Sequence, residues 1–113
     1  MKYNFALMAG ALILAGCAET VTSASVEASI AAAFPDPQDR AGIAVVVDRD
    51  GPEIFVVHYP DEVSDAAVLE RVQRYCATNG FQSASPVHVR DGTDLIQPDN
   101  STRKGRRGDY TCT

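Results

Sequence analysis

Apolar positions change period several times along this chain, and each change predicts a different element. Phe5 to Ala15 form an unbroken apolar run. After Ser25, Val26, Ile30 and Phe34 recur every four residues. That spacing predicts a short amphipathic helix of about two to three turns with Ser25 as its N-cap, too short to be stable alone. Ile43 to Val47 is rich in β-branched residues, Asp48-Arg49-Asp50-Gly51-Pro52 is dense in turn formers, and Glu53 to Tyr59 is again apolar and β-branched. Together these three stretches predict a β-hairpin. Ser64 and Asp65 then open a segment with Ala66, Leu69, Val72, Tyr75 and Cys76 near helical spacing, and Glu70 stands four residues before Arg74. This is the strongest predicted helix, and Gly80 followed by Phe81 fits a left-handed Schellman ending.

The remaining pattern is that of strands. Val87-His88-Val89 follows Pro86, Asp91-Gly92 predicts a turn, a polar stretch holds Pro98, and Gly108 to Thr113 ends the chain with Tyr110 and Cys112 on one face. The order β-β-α-β-β predicts a small two-layer α+β domain over residues 42–113, with a mostly antiparallel sheet and one helix. Residues 17–41, rich in Ala, Ser and Thr and ending in Phe34-Pro35-Asp36-Pro37-Gln38-Asp39, read as a tether, because the two prolines oppose helix and strand.

The N-terminal run changes this picture. Lys2 precedes it, Ala15 and Gly16 end it with small side chains, and its length of about a dozen residues falls short of the roughly 20 that span a bilayer as a helix. This is the layout of an export signal over residues 1–16. Leu14-Ala15-Gly16-Cys17 resembles the lipobox of bacterial lipoproteins. The resemblance implies that the Cys17 thiol takes a diacylglycerol, that the chain is cut before Cys17, and that fatty acyl chains such as palmitate anchor it. The alternative is an ordinary signal peptide that ends near a cysteine. Each buried CH₂ is worth about 0.8 kcal/mol, so one acyl chain holds weakly and two or three hold durably. In the same family an Asp after the lipidated cysteine favours the inner membrane. Here that position is Ala18, which implies the outer membrane, facing the periplasm, in a Gram-negative cell. On a lipid surface the predicted short helix has three fates open to it: docking on the domain, lying on the lipid, or staying disordered.

Removal of residues 1–16 would leave 97 of the 113 residues, enough for one domain and marginal as a core. With Cys17 committed to lipid, Cys76 and Cys112 remain, and an exported chain places them where disulfides form. Two buried free thiols are the alternative. Arg74-Tyr75-Cys76-Ala77-Thr78-Asn79-Gly80 with the distant Tyr110-Thr111-Cys112 loosely resembles a pattern in small proteobacterial lipoproteins and periplasmic proteins of unknown function. That second resemblance implies a helix stapled to a sheet by one disulfide, and no activity.

Charge excludes one function class and raises another. Loss of Lys2 leaves nine cations against fifteen carboxylates, a net charge of −6, which is a poor balance for nucleic acid. Yet Arg103, Lys104, Arg106 and Arg107 fall together around Gly105, in a stretch expected to form a flexible turn. Such a loop either meets an anionic lipid, polymer or acidic partner surface, or is a solvated loop balanced by Asp94, Asp99 and Asp109. No aromatic residues interleave the cations to stack bases.

Catalytic signals are weak. His58 and His88 lie on predicted strands, and Asp48 or Asp91 could complete a metal shell, but neither histidine has a partner at ligand spacing. Alternation sets His58 opposite Phe55 and Val57 and so predicts a solvent-facing imidazole. No nucleophile elbow is present. Asp48 to Gly51 and Asp91 to Asp94 lack the closing Glu of a calcium loop and read as turns. Asn100-Ser101-Thr102 matches a glycosylation acceptor, uninformative beside a bacterial export signal. No catalytic residue, metal ligand or cofactor is therefore expected. The leading expectation is a non-enzymatic lipoprotein held to the membrane through Cys17 and acting through an envelope protein partner. The alternative is a module binding an anionic lipid or polymer through Arg103 to Arg107. A hydrolase or metalloenzyme using His58 and His88 is the third reading.

Overall fold

The computed structural model describes residues 19–20, 24–49 and 51–113. The export segment and Cys17 lie outside the described residues. In chain order the elements are β1 Glu19–Thr20, α1 Ala24–Ala33, α2 Pro37–Arg40, β2 Ile43–Arg49, β3 Glu53–His58, α3 Asp65–Thr78, β4 Ala84–Ile96 and β5 Thr102–Cys112. The strands form one sheet in the order β1-β4-β5-β3-β2. Four of them pair antiparallel, and the two-residue β1 joins the edge in parallel with β4. The chain is thus α+β, with its helices on one face of a largely antiparallel sheet.

α3 is built as its sequence dictates. Ser64 Oγ accepts a hydrogen bond from the Ala67 amide at 3.1 Å, which satisfies a first-turn donor. Val68, Val72, Tyr75 and Cys76 are the buried positions, on one stripe of the helix. At the far end the Phe81 amide donates to the Cys76 carbonyl at 2.9 Å and the Gly80 amide to Ala77 at 3.2 Å, with Gly80 at φ +91°. Those two bonds make a Schellman motif, and a left-handed residue there favours glycine. Just inside this end, the Cys76–Cys112 disulfide ties the helix to the last residue of β5, with Cα atoms 5.4 Å apart. Both sulfurs sit in the main core, since Cys76 and Cys112 are buried.

Residues 24–40, assigned to the tether by their composition, pack against the domain. Ile30, Ala33 and Phe34 are buried in the same core as β2, β3 and α3, and α1 lies over β2. Of the three fates open to this helix, docking is the one the structure shows. Burial of Phe34, only 1% exposed, supplies the apolar contact that so short a helix lacks by itself. α1 starts at Ala24, so Ser25 lies inside the first turn and is not the N-cap. The prolines also behave differently from expectation. Asp36 caps α2 by accepting from the Gln38 amide at 3.0 Å, and Pro37 occupies the first helical turn, where a missing N–H costs nothing.

Two predicted turns need correction in the second half. Asp91-Gly92 does not reverse the chain. β4 runs straight through it, and a register shift between Asp91 and Thr93 marks a β-bulge at which Gly92 takes φ +91°. The reversal comes later, around Pro98 to Asn100, with Asn100 at φ 69°. Arg103 to Arg107 therefore sit within β5, all paired with β4 and the last two, Arg106 and Arg107, with β3 as well, and not on a flexible turn. The exchange has a simple cause: a glycine in a polar stretch serves a bulge as readily as a hairpin, and the two are separated only by the register of the partner strand.

Side chains alternate across the sheet. Directly paired residues share a face, so Ile54, Val56 and His58 of β3 lie with Tyr110, Gly108 and Arg106 of β5 on the helix side. Phe55 and Val57 lie with Asp109 and Arg107 on the opposite side. A second cluster, Ala44, Val45, Phe55, Val57, Tyr59 and Leu95, forms there.

Candidate functional site

The polar chemistry of the molecule converges on β5 and the start of α3. On the helix side, Arg106 donates from Nε to Asp65 Oδ1 at 2.9 Å and from Nη1 to Asp91 Oδ1 at 2.8 Å. One guanidinium thus links the first residue of α3 to β4. Asp65 also benefits from its place in the first helical turn, where the backbone dipole favours a carboxylate. These contacts hold the Arg106 guanidinium further above its ordinary value, with Asp65 the larger influence and Asp91 the next.

His58 lies beneath this bridge, opposite Arg106 on the neighbouring strand. It is fully buried, which overturns the expected solvent-facing position. Alternation did separate it from Phe55 and Val57, but the face it occupies is the one covered by helices. Its Nε2 is 3.2 Å from Asp65 Oδ1 without hydrogen-bond alignment, and Nδ1 has no hydrogen-bond partner among the described residues. Burial pushes the imidazole below its ordinary pKa; the Asp65 carboxylate opposes this, while Arg106 and Arg71 reinforce it. A cleft of about 230 Å³ lined by Asp65, Ala66, Leu69, Pro86, Val89 and Tyr110 opens beside the bridge. Burial, followed by the charge of Asp65, raises the Tyr110 phenol. His58 is buried under contacts in which Arg106 of β5 links Asp65 at the start of α3 to Asp91 of β4.

The other cations of the row are also paired. Arg103 Nη2 is 3.0 Å from Asp61 Oδ1 and 2.7 Å from Glu62 Oε2, and its guanidinium stacks 3.7 Å from the Tyr59 ring centroid. Lys104 meets Asp94. Arg107 lies 3.3 Å from Asp109 Oδ1 and 4.0 Å over the centre of the Phe55 ring. Asp94 and Asp109 were expected as balancing charges, whereas Asp99 instead accepts from the Ser101 amide at 3.0 Å. Asp61, Glu62 and Asp65 lie 41 to 42 residues along the chain from the arginines they hold, so no local pattern marks them as partners. Only the strand order brings them near.

His88 is paired with Asp109 and so lies on the face away from His58. The two imidazoles cannot share a ligand. Asp91 serves Arg106, and the Asp48 carboxylate faces Tyr75, whose phenol is pushed up to about 12 by burial first and by that hydrogen bond second. Among the described residues no three His, Cys, Asp or Glu side chains are arranged to hold a metal ion. No protein-family model matches this chain, and neither a curated protein nor a solved structure shows significant similarity to it.

Proposed function

We propose that this chain is a lipid-anchored protein of the bacterial cell envelope, acylated on Cys17 and held at the periplasmic side of the outer membrane. In this reading it is not an enzyme, and it acts through contacts with another envelope protein. The observation that carries the reading is the Cys76–Cys112 bond, which accounts for two of the three cysteines and suits an oxidising compartment. The lipobox resemblance at Leu14 to Cys17 supplies the anchor. The alternative, recognition of an anionic lipid or polymer by Arg103 to Arg107, draws less support, since each of these cations is engaged by a carboxylate of its own chain. Fractionation of cells that express the full chain tests the proposal. Wild-type protein is expected in the outer-membrane fraction and a Cys17→Ala variant outside it. Identical distribution of the two would overturn the proposal.

A further inference from the structure

Resting on the reading of Cys17 as the acylated N-terminus, we propose that the outer edge of β4 is seated directly on phospholipid headgroups, with no tether between the lipid anchor and the sheet. The position of β1 carries this. Glu19 is paired with Leu95 and Thr20 with Ile96, so the chain enters the sheet two residues after Cys17. Two residues reach at most about 7 Å even when fully extended. An acyl anchor on Cys17 is therefore confined to the neighbourhood of the β4 edge. The stretch that composition offers as a spacer supplies none, because α1 and α2 follow β1 and α1 packs on β2.

The edge itself suits a polar interface. Beyond Leu95 and Ile96, β4 has no second strand partner among the described residues, so its outward N–H and C=O groups need water or headgroup oxygens. Bulk hydrocarbon would leave them unpaired, which sets the depth at the headgroups. Strand addition by a protein is disfavoured along the same edge. Pro86 removes a donor, and register shifts at Pro86/His88 and at Asp91/Thr93 break the regular ladder. The sheet then stands on its β4 side, with β2, three strand spacings or about 14 Å further on, turned away from the bilayer.

The chain has no tryptophan, so a single introduced indole reports its own surroundings. The full chain, processed in cells and purified with its lipid, is reconstituted into phosphatidylcholine vesicles that carry a headgroup-nitroxide lipid. Arg90→Trp places the probe on exposed β4, and Val47→Trp places it on β2, which is 37% exposed at that position. Quenching is expected to be severalfold stronger at position 90 than at 47. Insertion of about ten Gly and Ser residues between Cys17 and Glu19, a spacer with a reach of about 18 Å, is expected to abolish the difference. Equal quenching of the two probes, or a difference that survives the spacer, would overturn the seating while leaving the lipid anchor intact. An N-terminal peptide without diacylglycerol would overturn both.

Discussion

The two faces of the sheet are both apolar, but they are closed by different means. On the helix face, Ile30 of α1, Phe34 just beyond it, and Val68 and Val72 of α3 share one core with Ile54 and Val56, and a disulfide fixes the end of α3. On the opposite face the described cluster draws only on β2, β3, β4 and Tyr59. There Leu95 covers the bare backbone of Gly105, where an added Cβ would come within 2.6 Å of its Cδ1, and the guanidinium carbons of Arg103 and Arg107 lie over the rings of Tyr59 and Phe55. The first face owes its closure to elements with their own periodicity. The second owes it to register, since its partners meet only when β4, β5 and β3 align. Charged side chains are accordingly divided: on the helix face they clamp elements together, and on the other their stems and planes cover aromatic rings.

The largest expected effect breaks the covalent part of this difference. Replacing Cys76 and Cys112 together by Ser should cost about 4 kcal/mol by the chain-entropy account, given their separation of 36 residues. Urea unfolding at neutral pH measures it, and a loss below about 1 kcal/mol would mean that packing alone holds α3. Next, Leu95→Ala should cost about 3 kcal/mol, because its side chain is wholly buried and Gly105 leaves nothing to fill the void. A near-neutral result there would show that the strand-built cluster is peripheral to stability.

A smaller effect comes from acid. The folded-state pKa of His58 lies below its ordinary value of 6.5, so on acidification the unfolded chain takes up a proton before the folded chain does. The His58 contribution to stability is complete above 6.5 and declines as pH falls from there toward the lower folded-state value. His58→Leu should flatten that part of the pH profile, followed by urea midpoints, while leaving the steeper carboxylate region below pH 4. That lower region includes Asp39, which hydrogen bonding from Arg74 holds below its usual 3.8 and whose contribution is lost only on further acidification. Smallest of all, Lys104→Ala should change stability by less than about 0.5 kcal/mol, since its partner Asp94 lies with it at the surface.

Much of the helix face was legible in the sequence. Ser64, the spacing of Leu69 to Cys76, and Gly80 with Phe81 each encode a local feature of α3, and local features survive translation into structure. The docking of α1 was only partly legible, for the Val26, Ile30 and Phe34 stripe shows a face without showing what it meets. The candidate site was least legible. Alternation tells which residues share a side, not which side a helix covers, and so does not reveal the burial of His58. The arginine partners Asp61, Glu62 and Asp65 were hidden by distance along the chain, and Gly92 by the ambiguity between a bulge and a turn.

Intact-mass and peptide analysis of the protein recovered from its native membrane examines lipid anchor and staple together, because it reads all three cysteines at once. The expected chain starts at Cys17 with diacylglycerol on that thiol, and yields one linked pair of peptides joining Cys76 to Cys112. A chain that retains Met1, carries no lipid and has free thiols at both positions would contradict anchor and staple alike.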